Sequence, residues 1–105
     1  MRIKAGASIN GIRPEIAVAI TAIQDIINKW KEPDIEFVIT SGTDGKHSPT
    51  SLHHAGCAID IRTRMIAPHQ RGALRGRIEK ALGRDFDVVL EDTHIHLEFQ
   101  PRYRS

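Results

Sequence analysis

The chain has a single cysteine, Cys57, in 105 residues, so no internal disulfide can staple it and stability must come from packing or from a bound ion. Flanked by Gly56 and Ala58 in a tightly spaced run, Cys57 is expected to be a small core residue. No apolar run reaches the roughly eighteen residues that a membrane-spanning helix needs, and Met1 to Gly6 lacks the apolar stretch of a secretory signal. A soluble chain synthesised in the cytoplasm, with no membrane partner, is therefore expected. Repeats, linkers and low-complexity segments are missing too. Charge of either sign is scarcely in excess: 15 Lys and Arg against 13 Asp and Glu leave +2. That slight basic bias permits a polyanionic partner without indicating nucleic acid, and none is expected.

What is present suffices for one core. An apolar content of 40% over 105 residues supports one compact domain, 1–105, but not two. Pro14 suits the first turn of a helix, and Ile16, Ile20, Ile23, Ile27 and Trp30 then recur at helical spacing. A helix over about 13 to 31 is predicted, with Lys29 and Lys31 at its cation-favouring end and Glu32-Pro33-Asp34 as its stop. Ile35 to Thr40 and Ala58 to Arg62 read as strands, separated by a long polar loop from Thr43 to Ser51. Long loops in small domains tend to be functional. A second helix is predicted over about 69 to 82, with Leu74, Ile78 and Leu82 on one face and Gly83 as its stop. Its Arg71, Arg75, Arg77 and Lys80 read as a solvated face. Phe86 to Leu90 and His94 to Phe99 read as two strands joined by a tight turn at Glu91-Asp92-Thr93. The order helix, strand, strand, helix, strand, strand suits an α+β fold, with a small antiparallel sheet packed against helices.

Two short segments hold four of the six histidines: Ser51 to Asp60 contains His53 and His54, and Glu91 to His96 contains His94 and His96. In a strand, side chains two apart share a face, which sets His94 and His96 side by side, roughly 6 to 7 Å apart at the backbone. His53 and Asp60 are separated by Ala55-Gly56, where the chain can turn sharply, so both can converge on one ion. Two imidazoles and a carboxylate, with a fourth position open, make the ligand count of a catalytic zinc site. Manganese or iron suits the same donors. Zinc lowers the pKa of bound water towards about 7, and a nearby carboxylate, best supplied by Glu91, can accept the proton and return it. Asp60 lies within the apolar run Ala58-Ile59-Asp60-Ile61 and requires a compensating cation, either a metal or Arg62. His54 and His69 are assigned to surface packing.

The run Ser51-x-His53-x-x-Gly56-x-Ala58-x-Asp60, preceded by Ser41-Gly42, resembles the first metal motif of the zinc D-alanyl-D-alanine carboxypeptidase and phage endolysin peptidase family. That family shares its fold with the amino-terminal signalling domain of Hedgehog. Its second motif, an acidic residue or histidine followed by x-x-His-x-His, is matched by Glu91, His94 and His96, and the likeness covers about 41 to 99. The resemblance implies zinc on His53 and Asp60, with the third ligand from the last strand. Branches with His-x-His take the second histidine, implying His96; those with Glu-x-x-His would put the metal on His94 and the base on Glu91. His96 is taken here as ligand, with Glu91 and His94 as the acid/base and transition-state groups. Many members carry an arginine two residues after Ser-Gly, where this chain has Asp44. Ser51, His47 and Arg62 are then the candidates for holding substrate, with Lys46 a further substitute for the arginine.

The resemblance thus implies a monomeric zinc peptidase acting on peptidoglycan stem peptides, as a carboxypeptidase or a phage-type endopeptidase, released by a phage or carried on a virion. One alternative is a metal-stabilised interaction module of the same fold. Another is a nucleic-acid binder using Arg71 to Lys80 with Arg102 and Arg104.

Overall fold

Pro14 opens the first helix as expected, and the helix closes over its isoleucines. The structure, a computed structural model, describes residues 1–30, 35–44, 53 and 55–101. Helix α1 spans Pro14–Asn28, with Pro14 in the first turn and Glu15 beside it, where a negative charge complements the helix dipole. Ile16, Ala19, Ile20, Ile23, Ile26 and Ile27 form its buried stripe. Fully burying each isoleucine contributes about 1.5–3 kcal/mol. Lys29 caps the helix and pairs through Nζ with Asp25 at 3.1 Å. Helix α2, Pro68–Leu82, buries Leu74 and Ile78, with Leu82 partly buried against the same core as expected. Gly83, at φ +82°, ends it in a conformation that glycine adopts without steric cost.

The strands are β1 (Arg2–Ile3), β2 (Val38–Ser41), β3 (Ala58–Arg62), β4 (Phe86–Leu90) and β5 (His94–Phe99), ordered β1-β2-β3-β5-β4 in one sheet. Four of the five strands make the expected antiparallel array, but β1 pairs parallel with β2, so the sheet is mixed. The cause is topological: a parallel partner needs a crossover, and α1 lies between β1 and β2 in the chain. The two-residue β1 is too short to show as a pattern. Strand β2 begins at Val38, later than the expected Ile35. Helix α1 ends at Asn28, short of the expected 31, because Lys29 leaves the helical conformation and its N–H closes the last turn on Asp25 and Ile26. The expected stop at 32–34 and most of the polar loop of 43–51 lie outside the described residues, as do Lys31, Lys46, His54, Arg102 and Arg104.

Ile39, Ile59, Ile61, Ile95 and Leu97 join the helices' Ile16, Ile23, Leu74 and Ile78 in one core. The strand residues that alternate with them, Asp60, Arg62, His94, His96 and Glu98, project from the opposite face. Cys57 is half-buried and free, so it is not the core residue expected of it. No helix among the described residues is long and apolar enough to cross a membrane.

Candidate metal centre

The pairing of β3 with β5 sets Asp60 directly opposite His96, and Arg62 opposite His94. Opposite residues share a face, so the carboxylate and both imidazoles meet on the side of the sheet opposite the apolar core. On β3's other flank, Ile39 pairs with Ile61 but Ser41 pairs with Asp60, so β2 carries an extra residue, Thr40, in a bulge beside the carboxylate. The Thr40 hydroxyl donates to the Asp60 carbonyl at 3.4 Å.

His53 arrives from the loop before β3, and two glycines place it. Gly56 has φ +75°, and a Cβ there would lie 2.3 Å from the Gly11 carbonyl oxygen. At Gly42 a Cβ would lie 2.2 Å from the Ser8 carbonyl oxygen. The residues between Ser8 and Gly11 thus press on both sites, and only glycine permits the approach. Asp44 fastens this junction: one carboxylate oxygen accepts from the backbone N–H groups of Ser8 and Gly42, both at 2.8 Å. Sequence analysis gave Asp44 no role; its contacts make it a brace.

His53 is 6% exposed, and its Nδ1–H donates to the Gly42 carbonyl at 2.9 Å. That bond makes Nδ1 a donor and turns Nε2 towards Asp60 Oδ1, 3.5 Å away. His96 Nδ1 lies 2.7 Å from the same oxygen, and His94 Nε2 lies 3.7 Å from it. One carboxylate oxygen is therefore ringed by three imidazoles. Arg62, the alternative cation for Asp60, forms no ion pair with it.

His53, Asp60 and His96 each offer one ligand atom, all within 4.8 Å of one another, and together could hold a metal ion. Zinc bonds of about 2.0–2.1 Å in a tetrahedron separate neighbouring ligand atoms by about 3.3 Å. The 3.5 Å between His53 and Asp60 already approaches that spacing, and two imidazole nitrogens with one carboxylate oxygen suit a borderline divalent ion.

Electrostatics couples the cluster. Burial opposes ionisation of Asp60, but hydrogen bonds from His53 and His96, with the charges of His53 and His94, outweigh it and hold the carboxyl well below the usual carboxylate range. His96 is pushed up to about 9, chiefly by its hydrogen bond with Asp60, against the opposing effect of burial and with help from Glu98.

Glu98 escaped the sequence reasoning. Its Oε1 lies 2.7 Å from His96 Nε2, the nitrogen turned away from Asp60. The signal was present, since His94, His96 and Glu98 continue one alternation along β5. Glu91 is exposed, and its backbone N–H donates to the His94 carbonyl at 2.8 Å, closing the β4–β5 turn. The β4·β5 register carries Glu91 opposite His94. No hydrogen bond or ion pair among the described residues ties its carboxylate to the cluster. His69 is exposed at the start of α2, as expected of a packing residue. The candidate substrate residues Ser51 and His47 lie outside the described residues, whereas Arg62 stands on the same face as Asp60.

No protein-family model matches the chain. Over 82 residues it is 30% identical to Indian hedgehog protein of Gallus gallus, a match covering 76% of this chain and 19% of that protein. The chain thus spans about a fifth of that relative's length. The likeness supports a Hedgehog-like fold around the His53, Asp60 and His96 cluster.

Proposed function

We propose that this protein is a zinc-dependent peptidase acting on peptidoglycan stem peptides, either trimming a terminal D-alanine or cutting an internal bond. The observation that carries the reading is the convergence of His53, Asp60 and His96 on one face of the sheet, with His94 beside them. His53, Asp60 and His96 would hold the zinc, which would supply Lewis-acid polarisation of a carbonyl and activation of water. The Gly42 carbonyl keeps the proton of His53 on Nδ1, and the Glu98 carboxylate does the same for Nε2 of His96. His94, whose Nδ1 lies 3.0 Å from the Thr93 hydroxyl, directs Nε2 towards the reacting carbonyl and hydrogen-bonds the oxygen as negative charge develops there. Glu91, facing His94 across the hairpin, takes the proton of the attacking water and delivers it to the leaving amine.

Purified muropeptides incubated with the protein, with and without a chelator, test this directly. Chelator-sensitive cleavage is expected, and Glu91→Gln should lower kcat by about 10²–10⁴-fold while zinc content stays at one per chain. Protein that takes up no zinc, or cleavage indifferent to chelation, overturns the proposal. A second reading, a metal-stabilised interaction module of the same fold, draws on the likeness to a Hedgehog protein. It requires that zinc binding persist with no hydrolysis by the unaltered chain.

A further inference from the structure

We propose that the cavity flanking His94 is an oxyanion subsite that receives a carboxylate of the peptide whose carbonyl lies at the metal centre, an inference that rests on the peptidase reading above. The cavity, about 440 Å³, is walled by Lys4, Arg62, Thr63, Arg64, Arg71 and His94. Its four cations come from four places in the fold: beyond β1, the end of β3, the β3–α2 connection and α2. Asp92 is the single acidic residue of the lining. No ion pair with a described residue engages Lys4, Arg62, Arg64 or Arg71. A concave wall of one sign concentrates counter-charge, and carboxylates suit arginine because its planar fork offers parallel donors.

A second observation points to the same place. Thr63 is 0% exposed, and its hydroxyl has no hydrogen-bond partner among the described residues. A buried hydroxyl left without a partner is costly, so one in a native wall signals a polar guest. Arg71 is fixed by Nε donating to the Ile66 carbonyl at 3.0 Å, which leaves its terminal nitrogens free of that bond.

The cavity and the metal cluster share a wall. His94 lines the cavity while its Nε2 stands 3.7 Å from Asp60 Oδ1, and Arg62 is its direct cross-strand partner. A peptide advances at most about 3.3–3.6 Å per residue. A carboxylate one or two residues from the reacting carbonyl therefore spans from one site to the other. The subsite selects peptides with a free carboxylate near the scissile bond over amidated or internal ones.

The zinc-loaded full chain is titrated with N-acetyl-D-alanine, its carboxamide and inorganic phosphate, following the backbone amide resonances of Thr63, Arg64 and Thr93. The acid should bind at least about tenfold more tightly than the carboxamide, and should shift those three resonances. Arg62→Gln with Arg64→Gln should abolish the preference at unchanged zinc affinity. If the double variant loses zinc, the exposed Arg64→Gln alone carries the same test. Equal affinity for acid and carboxamide, shifts confined to Arg75 and Arg77 on α2, or phosphate binding as tightly as the acid each overturn the subsite. Hydrolysis assays separate the two proposals. Acid-selective binding without cleavage of any stem peptide sinks the peptidase and spares the subsite, whereas equal cleavage of acid and amide substrates does the reverse.

Discussion

On β3 and β5 the inward residues Ile59, Ile61, Ile95 and Leu97 are at most 1% exposed, while Asp60, Arg62, His94, His96 and Glu98 alternate with them on the other side. Both sets hang from the same backbone ladder, yet one is held by non-directional burial and the other by pairwise geometry. The inner set tolerates reshaping that keeps volume. The outer set does not, because moving one imidazole nitrogen by about an ångström breaks a ligand position. The apolar face supplies the rigidity that the polar cluster, with its mutually dependent charges, cannot supply for itself.

Three experiments press on that division, taken from the largest expected effect downwards. Ile95→Ala should remove about 2–5 kcal/mol of folding stability while leaving the zinc affinity of the folded fraction unchanged. Denaturant melts and a zinc titration on the same sample measure both, and a parallel loss of zinc would show that the faces are not separable. Glu98→Ala should act the other way round. Zinc affinity falls by about 10–100-fold, read by chelator competition, while the circular dichroism spectrum stays that of the unaltered protein.

The third experiment is pH. His96 has a folded pKa of about 9 against an ordinary 6.5, so its contribution to metal-free stability is full below about 6.5 and is lost as pH rises through about 9. Zinc needs that nitrogen deprotonated, so affinity moves in the opposite direction, gaining about tenfold per pH unit towards 9 and then levelling. Thermal melts without metal and chelator competition with it, both from pH 6 to 10, should give curves of opposite slope. Asp60, held low, adds stability above its ordinary range that disappears only in acid.

The division between faces was largely legible in the amino-acid order. Period-two alternation exposed Asp60 among apolar neighbours, and the i, i+2 spacing placed His94 beside His96. The helices were readable because isoleucines recur at three and four residues, with Pro14 and Gly83 as punctuation. What escaped was either too short or too dispersed. β1 holds two residues and acquires meaning only through its pairing with β2. The bulge at Thr40 is a property of two strands together, and no local pattern announces it. The brace at Asp44 did not show because its partners, Ser8 and Gly42, are a backbone amide from a distant segment and one from its own turn. The cationic cavity draws on residues from Lys4 to His94, so nothing short of the folded chain could assemble it.

The contacts of Ser8 and Gly11 against Gly42 and Gly56 have a mechanical consequence. The amino-terminal segment is wedged against the two backbone points that bracket residue 53, so a displacement of Ser8 or Gly11 shifts the setting of the imidazole. A protein fused ahead of Met1, or a ligand tugging on that segment, would hold a lever on ion occupancy without touching a single coordinating atom.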